Sequence, residues 1–510
     1  MSQLYNYIGL KKKGGNQKSR SRSRQGNNKL GFSRGDDNQN GNNQEEEGGL
    51  SFGDRLLNTG IDLLTVVDRL TINYEENQGT FLPGYTNDIG FAGTLKPRAG
   101  FTFGSQADVR QTAAQNGWLT LYQQFNEQYT ETETKSLNFQ ARLDLLPDLS
   151  VDLNANRIYS ENYSENYRVS PQDLQYRSLN PRTFGNFNIS TILIKTSFQT
   201  SDRNQSEAFN QFKENRITVA RRLAQKAGID LTNPNNINQE TGYPKGFGST
   251  SQQVVLPAFL AAYSGKEASQ VDLGYFRDTP LPNWQIKYTG LMKLDWFRKT
   301  FERFSLQHGY SSTYNINQFQ TNLDYNRSAP ISNTNLNQAG NYKPESLISN
   351  INLVEQFSPL VKVDMQFKSS LKILAEVQKD RALSLSFDNN LLTETQGNEY
   401  RLGLGYRVKN VKFTSKIGGK SQVLSSDLNL KADLSFRRNK TIVRYLELNQ
   451  SETTSGQDIW QINFTADYAL SKNLTAIFYY DHSFSEYAIS TAFPQTTIRS
   501  GFTLRYNFGN

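Results

Sequence analysis

The last third of the chain alternates apolar and polar residues, one strand length after another. Leu428, Leu430, Ala432, Leu434 and Phe436 fall on one face, and Asn429, Lys431, Asp433, Ser435 and Arg437 on the other. The same period of two runs through Tyr400 to Lys409, Ile462 to Tyr468 and Val361 to Val377. Alternation of this kind puts one face of a strand in an apolar medium and the other in water. Two architectures satisfy it. In a soluble sandwich the apolar faces meet across a core. In an outer-membrane barrel they face lipid while the polar faces line a wet lumen.

Earlier in the chain the pattern is more varied. Phe52 to Val67 has near-helical apolar spacing and leads into a strand from Leu70 to Glu76. Residues 79–85 are turn-rich around Pro83 and Gly84, and Ala107 to Asn116 reads as a helix ending at Gly117. Leu137, Phe139, Ala141, Leu143 and Leu145 share one strand face. Pro147 and Asp148 form a turn, and Leu149, Val151, Leu153 and Ala155 return antiparallel. Phe187 to Phe198 reads as another strand. Residues 201–282 then change period. Phe209, Phe212, Ile217, Ala220 and Leu223 suit a helix, and Val254 to Tyr263 suits a second, more apolar one. A segment this long between strands is expected to be a folded insert, packed on or into the barrel. Strands resume at Trp284 to Leu291 and Arg303 to Tyr314, and an Asn-rich loop covers roughly 316–344. The remainder reads as strands over about 347–357, 361–378, 382–388, 398–409, 425–438, 440–448, 458–469, 474–485 and 496–508. Short turns are expected at Phe357 to Leu360 and at Leu470 to Asn473, and longer polar loops at the opposite end.

Composition narrows the choice. The 510 residues are 36% hydrophobic and 12% aromatic, with mean hydropathy −0.66. No stretch approaches the roughly 20 apolar residues of a membrane helix. A barrel is compatible, because alternation dilutes its hydropathy. Cysteine is absent and histidine is limited to His308 and His482, which argues against thiolate or histidine-based metal and catalytic clusters. No phosphate loop, nucleophile elbow or metal motif is present, so the expectation is no enzyme, no cofactor and no metal. Net charge is +8. Part of the excess lies in Lys11, Lys12, Lys13, Lys18, Arg20, Arg22 and Arg24, among Gly, Ser, Asn and Gln and followed by acidic residues. That composition reads as a solvated linker rather than a nucleic-acid site. No signal peptide opens the chain. An exported protein needs one, so the expectation is that the chain begins inside a longer protein.

Several irregular segments are more specific than the alternation. They are Gly79 to Tyr85, Phe103 to Gln106 with Asn116 to Trp118, Asp152 to Arg157 with Tyr159 to Tyr163, and Gly185 to Ile189. To these are added Gly242 to Ser251 with Val255 to Tyr263, and Leu281 to Trp284 with His308 to Tyr310. Together they resemble the C-terminal part of the SprA (Sov) family of Bacteroidetes cell-surface proteins, from about residue 50 onward. The resemblance implies the outer-membrane translocon of the type IX secretion system, which passes folded cargo to the cell surface and supports gliding motility. It implies a very large single-chain barrel of which this chain is the closing portion. The implied partners are outer-membrane lipid, a shuttle barrel of the PorV type, a periplasmic plug protein, cargo C-terminal domains and the barrel-assembly machinery. Nucleic acid is not among them.

The expected fold class is therefore all-β: an antiparallel transmembrane β-barrel segment, part of a very large barrel, with short helical inserts in loops. The expected divisions are a linker over 1–50, barrel strands with plug-like or rim loops over 51–200, a mainly helical insert over 201–282, and barrel strands over 283–510. About 14–16 strands are expected, fewer than the family barrel has. The location expected is the outer membrane of a Gram-negative cell. A pore of that size must be occluded, so Phe81, Leu82, Pro83, Tyr85, Trp118, Tyr243, Phe247 and Phe259 are candidates for a gate or for partner docking. Gly501, Leu504, Tyr506 and Phe508 resemble the C-terminal assembly signal of bacterial barrels. Other readings of the same pattern are an outer-membrane porin or nutrient receptor, and a surface-exposed β-rich adhesin.

Overall fold

In the computed structural model, residues 66–87, 98–415, 422–448, 450–471, 473–489 and 492–508 are described. The expected linker over 1–50 and most of the Phe52 to Val67 helix lie outside them. The described chain forms one 14-stranded antiparallel sheet. Its first strands are β1 (Val67–Phe81), β2 (Gln128–Leu146), β3 (Leu149–Val169) and β4 (Tyr176–Ser190). Next come β5 (Asn283–Tyr288), β6 (Phe301–Thr321), β7 (Ser346–Ile348), β8 (Asn350–Phe367) and β9 (Leu371–Ser386). The last five are β10 (Leu391–Ser415), β11 (Gln422–Tyr445), β12 (Ser451–Ala469), β13 (Leu474–Tyr487) and β14 (Gln495–Tyr506). Five α-helices interrupt them: α1 (Ala99–Thr102), α2 (Arg110–Gln115), α3 (Glu207–Lys226), α4 (Gln252–Ser264) and α5 (Asp295–Thr300).

Neighbouring strands follow chain order almost throughout, as in an up-and-down meander. The Leu137–Leu145 hairpin forms in the expected register, with Leu143 opposite Val151 and Ala141 opposite Leu153. Asp148 at its turn has a φ of 70°, a conformation Asp tolerates better than most residues. Among the described residues, β1 pairs only with β2 and β14 only with β13.

Four expectations are corrected. Phe187 to Phe198 is not one strand. β4 stops at Ser190, and Ile194–Thr196 is a 3-10 turn. Phe357 to Leu360 is not a turn. β8 runs through it with a register shift between Phe357 and Val361, so both face the same side. The real turn lies inside the expected 361–378 strand, at Lys368–Ser370, between residues that happen to keep one phase. The expected strands 425–438 and 440–448 are a single strand, β11.

The insert enters at an unexpected place. β4 and β5 occupy the same lane between β3 and β6: Ser190 pairs with Thr313, and Trp284 with Tyr310. Residues 191–282 therefore interrupt a strand at mid-height rather than linking two strand ends. The Thr191 N–H donates to the Ser312 carbonyl at 3.0 Å, and Ser312 N–H donates to Asn283 Oδ1 at 2.8 Å, which joins the two halves.

Within the insert, α3 begins at Ser206, whose side chain accepts from the Phe209 N–H. It buries Phe209, Phe212, Val219, Ala220 and Ala224. α4 is buried all round from Val254 to Tyr263, as a helix apolar on every side must be. Gly265 ends it in the left-handed conformation, φ 64°. These helices share one core with Phe187, Ile189, Tyr314, Ile351, Leu353, Leu383, Leu385 and Leu392 of the sheet and with Leu446 just past β11.

Candidate functional site

Following the registers from strand to strand separates the two faces of the sheet. One face carries a continuous apolar belt. Leu402 lies opposite Ala375 and Leu434, Leu434 opposite Ile462, and Ile462 opposite His482. Leu404 lies opposite Ile373 and Ala432, and Ala432 opposite Phe464. Ile72 with Phe139, and Phe478 with Phe502, extend the belt to either edge of the sheet. Many of these side chains are open to the surroundings: Ile72 is 59% exposed, Leu402 38%, Ile462 39% and Phe502 78%. Tyr400 to Val408 rises about 26 Å at roughly 3.3 Å per residue. That is close to the roughly 25 Å apolar band of a membrane barrel.

An aromatic row closes the belt on one side. Tyr400 lies opposite Phe436, Phe436 opposite Trp460, and Trp460 opposite Phe484. Tyr400 and Phe436 are stacked at 6.3 Å, and Phe436 and Trp460 lie 4.2 Å apart. One step further the same face turns polar, where Arg438 meets Asp458 at 2.6 Å. Towards the opposite end lie Tyr288, Trp296, Phe297, Phe301, Phe304, Phe367, Tyr406 and Tyr506, several of them in mutual contact. Aromatic rings at both edges of an apolar band are the girdles of a transmembrane strand wall.

The other face is wet and charged. Arg437 reaches Asp380 and Glu399, each at 3.0 Å, and Arg401 also pairs with Glu399. Lys362 meets Glu376 at 3.4 Å, Arg303 meets Asp364 at 3.1 Å, and Asn429 donates to Asp467 at 2.8 Å. Both signs alternate across the wall, so it presents no single binding charge. A sheet with a girdled apolar belt on one face and this lining on the other is an antiparallel transmembrane β-barrel segment.

The insert packs on the belt face, beyond the aromatic row. Two nearly dry ion pairs lie beneath it. Arg444 bonds Glu394 at 3.1 Å and Arg381 bonds Glu355 at 3.0 Å. The insert completes both. Ser201 Oγ donates to Glu394 at 2.6 Å, Ser197 Oγ donates to Glu355 at 2.6 Å, and Arg381 donates to the Thr196 carbonyl at 3.0 Å. Arg216 of α3 reaches Glu447 at 2.7 Å. The insert is thus clamped to the belt side of the wall and does not stand on its charged side.

The sequence candidates divide accordingly. Tyr243, Phe247 and Phe259 meet in the insert core. Phe259 is fully buried and Phe247 is 4% exposed, so these two brace the insert and offer little surface. Leu82 and Trp118 pack in a second, smaller core with Ala113, Ala114, Leu119, Tyr129 and Tyr167, near buried Pro83. The Tyr167 hydroxyl donates to the Pro83 carbonyl at 2.5 Å. Tyr85 bridges to Leu119, and Phe81 stands 58% exposed at the end of β1. The eight residues are therefore not one site. Of the C-terminal candidates, Leu504 and Tyr506 sit on the belt face, Gly501 lies on the other, and Phe508 is exposed past the end of β14. Sequence reading missed the aromatic row and both buried ion pairs. The row was legible in principle, since Tyr400, Phe436, Trp460 and Phe484 each end an apolar run.

The second core is held by a carboxylate well beyond the belt. Glu165 is fully buried and accepts from Arg110 Nη1 at 2.6 Å, Tyr163 at 2.7 Å, Tyr176 at 2.8 Å and Ser178. Burial pushes its carboxyl up, but the hydrogen bonds, led by Ser178 and Tyr163, outweigh burial and hold it below the ordinary range. A carboxylate with a lowered folded pKa adds stability above its unfolded value, and that stability is lost as pH falls through the folded value. Protection of the Ala113 to Trp118 amides, taken as exchange relative to the intrinsic rate at each pH, is therefore expected to be high at neutral pH and to fall as pH drops below about 4.5. Equal protection at pH 7 and pH 3 would show that Glu165 does not hold this segment.

No family model and no curated protein matches the chain. Among solved structures it is similar to OmpT, an outer membrane protein of Vibrio cholerae, in its in-vitro folded trimer form. The match is 8% identical, covers 86% of this chain and 99% of that one, and has a TM-score of 0.18. At that score the two chains do not superpose as wholes, and the membrane-facing reading rests on the belt and girdles of this chain.

Proposed function

We propose that this chain forms part of the wall of an outer-membrane protein-conducting translocon, of the type IX secretion kind, that passes folded cargo to the cell surface. The observation that supports this most is a 14-stranded wall whose outer strands, β1 and β14, do not pair with each other among the described residues. Barrel diameter grows roughly linearly with strand number, and about 16–18 strands already enclose an aqueous channel. A wall of this width, with two unpaired edge strands among the described residues, fits a wide ring with a lumen broad enough for a folded protein. The mixed-sign lining suits transit, since alternating charges wet the surface without retaining one substrate.

In this reading the insert is a brace on the outside of the wall, and occlusion of the lumen is left to a plug protein. Lateral partners, a shuttle barrel among them, would meet the wall on its belt side. The test is gene deletion in the source bacterium. Cargo bearing the secretion C-terminal domain is expected to disappear from the surface and to accumulate, folded, in the periplasm. Normal cargo delivery with lost uptake of a small nutrient would replace the translocon with a porin or receptor.

A further inference from the structure

We propose that the cleft between α3 and α4 binds an extended peptide segment of another polypeptide through its backbone. The inference rests on the insert alone and not on the proposed function.

The cleft has a volume of about 750 Å³, within the range of ligand sites. One wall is a polar stripe of α3, formed by Glu207, Gln211, Asn215 and Thr218 at helical spacing. Facing it, Ala261 and Ala262 at the end of α4 carry only methyl groups, so a backbone can approach closely there, while the Lys195 side chain covers Gly265.

Two buried amide atoms of residues lining this cleft lack partners. Asn215 is 5% exposed, and its Oδ1 accepts from Gln211 Nε2 at 2.9 Å. Its Nδ2 is buried and unbonded, and so is Gln199 Oε1. A buried donor or acceptor left unmade is destabilising. The native structure keeps one of each in the same cleft. A ligand that answers both must offer an acceptor and a donor together, as each peptide group does. An acyl chain offers neither. A sugar offers both, but no aromatic ring lines the cleft to stack on it. The rim carries Lys195 and Lys266 against Glu207 and Glu267, a balance that favours a neutral backbone over an anion.

The probe is a phage-displayed library of random dodecapeptides, selected on the purified full chain in detergent micelles. Enriched peptides are then synthesised with normal and with N-methylated backbones. Normal peptides are expected to bind saturably, and N-methylation or Asn215→Leu to weaken them at least tenfold. Gln211→Trp, on the exposed rim, is expected to abolish binding, with the melting temperature lowered only slightly by the loss of its bond to Asn215. The proposal fails if no peptide is enriched, or if enriched peptides bind Gln211→Trp as well as the parent. It fails equally if maltoheptaose binds the cleft and the peptides do not.

Discussion

Replacing Arg444 with alanine is expected to destabilise the chain by about 3–5 kcal/mol, the usual cost of orphaning a buried ion. The Arg444 side chain is 2% exposed and that of Glu394 is wholly buried, 3.1 Å away. Arg444 also donates to Ser201 Oγ at 2.8 Å, so the pair joins β10, β11 and the insert. Removing the cation leaves Glu394 charged between two packed layers with only hydroxyl and amide donors. Replacing both members, Arg444→Met with Glu394→Leu, is expected to be near neutral, because desolvating two ions offsets most of their attraction. Urea unfolding of the refolded chain in micelles measures both. An unchanged midpoint for Arg444→Ala would mean that water reaches the pair and that the insert is not clamped.

Leu404→Arg is expected to cost about 2–4 kcal/mol in a bilayer, the penalty for a cation near the midplane of a barrel's lipid face. Leu404 is mid-belt, between Ile373 and Ala432, and 37% exposed. Lys431, one residue along on the charged face of β11 and paired with Gly405, provides the contrast. Lys431→Gln is expected to change stability by no more than about 0.5 kcal/mol, as for an ordinary wet surface position. Folding into phospholipid vesicles, followed by denaturant titration, compares the two. If both substitutions cost the same, the belt does not face lipid and the sheet is a soluble one.

These two substitutions also separate what is local from what is not. Leu404 could be placed on the apolar face from period two alone, because successive side chains of any strand point to opposite sides. The hairpin of β2 and β3 was equally legible, since Pro147 and Asp148 punctuate two matched runs. Ser358-Pro359 carries the same punctuation, yet β8 continues through it as a bulge. Gly309 of β6 lets the chain come close there: a Cβ on it would lie 2.9 Å from the Ser358 carbonyl. A proline signals lost ladder bonding, and whether that becomes a turn or a bulge depends on the strand alongside.

The candidate site shows the same division. Aromatic residues in the insert were visible, but Phe259 is core and not surface, because burial is decided by what α4 packs against. Arg444, Arg381, Glu394 and Glu355 are merely charged positions in strand patterns until Ser197 and Ser201 are brought over them from far along the chain. The alternation by itself determined two faces, an apolar belt and the antiparallel sheet, since those follow from backbone geometry residue by residue. Only the tertiary structure decided that the insert breaks a strand at mid-height and lies on the belt side, because that placement depends on satisfying buried charges with groups supplied from outside the sheet.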